Sequence, residues 1–576
     1  MSVSHLELTS RPFQDGRPFG EVGAYEELVG DAEFAIDPDH PLNQVIVDLP
    51  LAGRDAEGRV RCIADVRILQ PRDARRGNGG LLLDVVNRGT SIFAHTFEPG
   101  PLAPTTRVTE GFLLQRGFTV VSCGWQHDIP RGHGHGRFGL TAPEATLDGQ
   151  PLTGPVSTMR TIDASTDTLT LDSTYVPADP SDGTLLERDA PSGPGRVVPR
   201  EQWWFVEGRP EICMPDGFTP GLTYEVTYTA RGAPVTGIGL LALRDIVAHL
   251  RRTNALTFAI ALGGSQTGRL LRQFVHLGLC EGEDGQLVLD GILAIAAGAR
   301  TADANRRFGQ PSSQDPTPPV FPFTDAIQTD PRTGQVDGLL RRALERGKVP
   351  RVMHMHTSSE YCSSSAYVHS SAALSHLTAD GQSDVQVPET VRIYHLASTQ
   401  HAPAPLPMHG PPGRGVNPPN TIDYKPFVRA AVDTLTQWVT ANVEPPPSRY
   451  PRFDAGTLGP DLRPTTDADG NEVPGLRHPD VSVPLATYTG WNPRNPATGG
   501  GDLLVRAMGS SLPFAPEVIR GRYASRDQFL TEIRRAAETL AADRYILPDD
   551  VAGVVRMSGD RWDECVQSVT VERGGV

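Results

Sequence analysis

Short runs of almost unbroken apolar residues, each bounded by turn residues, constrain this chain more than any other feature. They are "GGLLLDVVNRG" (79–89), "TVVSCGW" (119–125), "LTFAIALGG" (256–264), "LVLDGILAIAAG" (287–298), "VPRVMHMHTS" (349–358) and "TVRIYHLAST" (390–399). A strand apolar on both faces must be covered on both. Helical patterns alternate with these runs: "GIGLLALRDIVAHLRRT" (237–253), "TGRLLRQFVHLGL" (267–279) and "DYKPFVRAAVDTLTQWVTANV" (423–443). In the first, Leu240, Leu241, Leu243, Ile246, Val247 and Leu250 line one helical face. The alternation predicts an α/β fold, a mostly parallel sheet with helices on both sides.

Around this core, residues 1–78 read as a β-rich segment packed on it, and 79–443 as the core itself. Residues 126–235 and 299–348 read as cap-like or lid-like insertions, and 444–576 as a C-terminal extension with a helix at 525–543. Long connections without clear periodicity commonly cover binding sites. The 59 glycines and 52 prolines fit a chain with many turns and irregular connections.

The formal net charge is −15, and no basic stripe is present to neutralise phosphates, which argues against a nucleic-acid partner. Six cysteines without a C-x-x-C pattern read as reduced thiols. The first residues lack a basic-then-apolar leader, and no run approaches the ~18 apolar residues of a membrane span. A cytoplasmic protein without a membrane partner is the expectation; the oligomeric state stays open.

The chemistry centres on Ser265. "LTFAIALGGSQTGRLLRQF" places it between a strand and a helix, among Gly263, Gly264 and Gly268. A sharp strand-to-helix turn of this kind exposes a serine at a helix N-terminus, where a neighbouring base can activate it. Thr267 stands where the general G-x-S-x-G pattern has glycine. Later strands end in Glu360 ("RVMHMHTSSEYC") and His401 ("RIYHLASTQHAP"). Taken singly, a helix-capping serine, a surface carboxylate and a solvated loop histidine explain each residue as well. Their order, serine then acid then histidine at successive strand ends, is that of an α/β-hydrolase triad. Asp290 falls inside its strand and reads as structural. The backbone N–H of Gln266 is the first oxyanion donor expected, and that of Arg88 or Gly89 the second.

"GGSQTGRLLRQFVHLGL…DGILAIAAGAR", "VVNRG", "VSCGWQHDIP", "SSEYC", "STQHAP" and "VPLATYTGWNPR" together resemble a little-characterised bacterial family, the alpha/beta hydrolase domain-containing proteins. The resemblance runs from about residue 5 to 555. The family elbow, G-x-S-Q-T-G-R, matches Gly263 to Arg269, so Thr267 fits it. Its acid motif, S-x-E-Y-W, matches Glu360 and Tyr361, with Cys362 in place of tryptophan. Its T-Q-H segment matches Thr399, Gln400 and His401. The resemblance implies a serine hydrolase fold and no particular substrate.

These readings lead to an expected carboxylic ester hydrolase for a small or medium organic ester. Acyltransferase, lactonase or thioesterase activity on the same triad is the alternative, and a non-catalytic scaffold a more distant one. Trp125, His127, Tyr361 and Trp491 are candidate pocket residues, Trp203 and Trp204 weaker ones. His127, His133 and His135 crowd one loop, and His354 and His356 share one face of a strand. No paired spacing completes a metal site, and neither G-K-[ST] nor G-x-G-x-x-G after the first strand is present. No cofactor or metal is expected; the partner is a small-molecule ester.

Overall fold

The computed structural model describes residues 2–98, 108–132, 136–171, 173–191, 193–254, 256–313, 320–362, 371–408, 413–501 and 503–567. Its centre is one twisted sheet. The main strands are β1 (Val3–Pro12), β2 (Gly23–Ile36), β3 (Val60–Pro71), β4 (Gly80–Val85), β5 (Thr119–Cys123), β6 (Phe258–Gly264), β7 (Gly291–Ile295), β8 (Arg351–Thr357) and β9 (Val391–Leu396). They lie in the order β1-β2-β3-β5-β4-β6-β7-β8-β9. From β5 to β9 every pairing is parallel, whereas β1, β2 and β3 pair antiparallel at one edge.

The apolar runs explain this arrangement. β4, β5 and β7 are buried at every position. Alternation splits each strand between two cores. Leu81, Leu83, Ala259, Ala261 and Val352 face one, packed by α1 (Ile238–Thr253) and α2 (Gln266–His276). Leu82, Ile260, Leu262, Leu293, Met353 and Met355 face the other, packed by α3 (Lys425–Ala441), α4 (Arg526–Ala542) and α5 (Val551–Gln567). Asp290, at the foot of β7, accepts from Arg251 and from the Ala259 N–H at 2.9 and 2.8 Å, a structural carboxylate.

The N-terminal segment extends the sheet rather than packing on it, because β3 pairs antiparallel with β5 of the core, Val66 to Leu69 against Cys123 to Val120. The C-terminal residues cover the opposite edge. Leu476 N–H donates to His395 C=O at 2.6 Å, and Ala397 N–H donates to Leu476 C=O at 3.0 Å, so β9 offers no open edge. Within 126–235, Thr153–Thr161 and Thr223–Arg231 form an antiparallel ladder. Leu185, Val226 and Tyr228 from this region join the core of α1. No described helix is long and apolar enough to cross a membrane.

Candidate active site

Ser265 sits between β6 and α2 with φ 57° and ψ −114°, a backbone conformation that an L-residue holds only at a cost of about 1–3 kcal/mol. The surroundings enforce it. The Ser265 N–H donates to Ile295 C=O of neighbouring β7 at 2.8 Å. A Cβ at Gly263 would lie 2.4 Å from Thr267 C=O, and one at Gly268 would lie 2.8 Å from Ile295 C=O. Glycine is required at both, for close approach. Thr267 occupies the place usually held by glycine because its hydroxyl closes the turn. It accepts from Gly264 N–H at 2.9 Å and donates to Gly264 C=O at 3.1 Å.

Glu360 and His401 meet at the ends of β8 and β9. His401 Nδ1 lies 2.6 Å from Glu360 Oε1. The other carboxylate oxygen, Oε2, accepts from Thr357 N–H at 2.8 Å and Thr357 Oγ1 at 2.6 Å. Burial raises the carboxyl's pKa, but His401 and the two Thr357 donors outweigh it and hold Glu360 below the ordinary value. The Glu360 side chain is 5 % exposed and that of His401 24 %, so the acid is sealed while the base reaches open space.

Ser265 and His401 line one cavity of about 240 Å³, with Asn87, Ile92, His95, Thr96, Ala296 and Tyr424. Among the described residues no hydrogen bond joins the Ser265 hydroxyl to the imidazole. A larger groove of about 680 Å³ along residues 382–387 and 450–454 contains none of these groups, so volume alone misplaces the chemistry.

Three anchors position the acid and histidine segments. Glu472 accepts from Ser358 Oγ and from Ser398 N–H at 2.7 Å, and it pairs with His395 Nε2 at 2.8 Å. Ser359 Oγ accepts from His401 N–H at 3.1 Å and donates to Gly490 C=O at 2.7 Å. Tyr424 donates its hydroxyl to His401 C=O at 2.7 Å. Asp84, fully buried, plays the same part for the loop after β4, accepting from Ile92 and Phe93 N–H at 3.0 and 3.1 Å and from Ser122 Oγ at 2.7 Å.

In this loop the two N–H groups expected as the second oxyanion donor both have partners. Arg88 N–H donates to Gln266 Oε1 at 3.2 Å, and Gly89 N–H donates to Gln126 Oε1 at 3.3 Å. Both are committed to side-chain amides. Asn87 instead faces the cavity. Its Nδ2 spends one N–H on Gly264 C=O at 3.2 Å and has a second to offer. Asn87 opens the N-R-G turn after β4, but nothing local marked its side chain over its neighbours' N–H groups.

The four aromatic and histidine pocket candidates do not line the cavity. Trp125 is buried and donates Nε1–H to Val86 C=O at 2.8 Å. Tyr361 is buried with its hydroxyl 2.9 Å from His376 Nε2. His127 lies 3.5 Å from the Tyr175 hydroxyl, and Trp491 is 36 % exposed. No described residue of 126–235 or 299–348 lines the cavity either, although Pro311 and Ser312 carbonyls accept from the Gln266 and Arg88 side chains beside it. His354 pairs with Asp325 at 2.8 Å and His356 with Ser375 at 3.1 Å. Among the described residues no three metal-ligating side chains converge; His133 and His135 lie outside them.

No curated protein matches this chain. A family model described as an alpha/beta hydrolase domain matches residues 224–556, which carry Ser265, Glu360 and His401. The match covers more than half of the chain, and the mostly parallel sheet with its helices agrees with it. The chain belongs to the alpha/beta hydrolase domain family, a family that implies hydrolase chemistry.

Proposed function

We propose that this protein is a serine hydrolase that cleaves a carboxylic ester through an acyl-enzyme on Ser265. The observation that carries the reading is the Glu360–His401 pair at 2.6 Å, its carboxylate buried, with His401 facing the same cavity as the strained Ser265. Glu360 holds the proton on Nδ1, which leaves Nε2 free to accept the Ser265 proton. The Ser265 oxygen attacks the ester carbonyl, and the alcohol leaves with the proton from His401. Water, deprotonated by the same ring, then releases the acid. The first N–H of α2, on Gln266, and the second N–H of Asn87 Nδ2 are the donors proposed for the oxyanion.

Fluorophosphonate labelling followed by peptide mass spectrometry tests the assignment. Ser265 carries the adduct in the wild type, and Ser265→Ala abolishes both labelling and cleavage of p-nitrophenyl butyrate. Undiminished cleavage by Ser265→Ala, or an adduct elsewhere, defeats the reading.

A further inference from the structure

Two arginines beside this centre have no place in the scheme above. Arg269 is one helical turn beyond Ser265 in α2, and its N–H donates to Ser265 C=O at 3.0 Å. Helical side chains lean toward the N-terminus, so its guanidinium is carried back toward the elbow. Arg300 follows β7, five residues beyond Ile295, whose carbonyl holds Ser265. The two elements touch, since a Cβ at Gly268 would lie 3.2 Å from Ala297 Cβ.

Each arginine is only 9 % exposed. Arg269 Nε and Arg300 Nε and Nη1 are fully buried without a hydrogen-bond partner. A buried cation left unpaired is costly, by several kcal/mol. The neighbourhood adds charge of the same sign. Burial first, then Arg300, Arg506 and Arg88, lower Arg269 well below the ordinary arginine value. Arg300 falls to about 10, through burial and then Arg506. The carboxylate that acts on both is Glu360, and its oxygens are already taken by His401 and Thr357.

We propose that Arg269 and Arg300 form an anion-binding subsite next to Ser265, and that the substrate is an ester bearing a carboxylate or similar oxyanion. Planar guanidinium groups with unused donors suit bidentate oxyanion recognition. The anion is a spectator: it fixes the ester's position while the acyl–oxygen bond breaks and water supplies the new carboxylate. The proposal rests on the serine hydrolase reading for its substrate but not for its anion.

The test compares p-nitrophenyl valerate with mono-p-nitrophenyl glutarate, which differ by a terminal methyl against a carboxylate. Each kcat/KM is divided by the ester's alkaline hydrolysis rate. Wild type prefers the glutarate by roughly tenfold or more at low salt, and Arg300→Gln collapses the ratio. A wild-type ratio at or below one, or a preference that Arg300→Gln leaves intact, overturns the proposal. Protection of Ser265 from fluorophosphonate by glutarate, with inorganic phosphate as a second arm, needs no variant. Protection by either anion supports the subsite and identifies the oxyanion preferred; protection by neither overturns it. If Ser265 takes no label and neither ester is cleaved, the hydrolase reading fails. Thermal stabilisation of the wild type by glutarate or phosphate then decides the subsite, and no shift with either removes it.

Discussion

Replacing Glu360 with glutamine separates what this residue does for the fold from what it does for the chemistry. The carboxylate makes three contacts, at 2.8 and 2.6 Å to the Thr357 N–H and hydroxyl and at 2.6 Å to His401 Nδ1. A glutamine has one acceptor oxygen. If it faces Thr357, both of those bonds survive, and the amide NH2 meets His401. Nδ1 must then accept, the ring proton moves to Nε2, and the base points its N–H at Ser265. If the oxygen faces His401, two donors collide at buried Thr357, at a cost of about 1–3 kcal/mol per unsatisfied group. The first orientation wins, so the fold loses about 1 kcal/mol while kcat/KM falls roughly 10³–10⁴-fold, the scale of a wrong tautomer in a triad. Urea denaturation and p-nitrophenyl butyrate kinetics on the same preparation read both. A folded Glu360→Gln protein within tenfold of wild-type kcat/KM would refute the claim that this carboxylate sets the tautomer of His401.

The same carboxyl predicts a pH dependence. Because its folded pKa lies below the ordinary value of 4.5, its ionised form stabilises the fold. That contribution is complete above about 4.5 and is lost as pH falls through the lower folded value. The stability advantage of wild type over Glu360→Gln therefore shrinks below about pH 4.5, and midpoints that stay parallel through the acid range would refute it. Arg561, fully buried, pairs with Asp480 at 2.7 Å and donates to Thr421 C=O at 2.6 Å. Arg561→Met removes the cation beside buried Asp480, leaving it His478 at 3.2 Å, and should cost about 3 kcal/mol by urea unfolding; a change under 1 kcal/mol would show that the pair is dispensable for docking α5.

The amino-acid order alone determined the sheet and the ends of its strands. Burial on both faces leaves a local record, a run such as "LTFAIALGG", and the residues just past each run mark where functional side chains emerge. Ser265, Glu360 and His401, the residues proposed above for catalysis, stand just past such runs, which is why the order alone pointed to them. The antiparallel edge formed by β1 to β3 was legible only as extended chain, because pairing partners leave no trace in one strand. Tertiary structure alone decided which donors are spare. Arg88 N–H is taken by Gln266, 178 positions away, and Gly89 N–H by Gln126, 37 positions away. It also sent Trp125 and Tyr361 into cores, and it left buried guanidinium nitrogens of Arg269 and Arg300, from separate elements, without hydrogen-bond partners. Periodicity is written along a chain, whereas hydrogen-bond satisfaction and net field are sums over neighbours that meet only when the chain has folded.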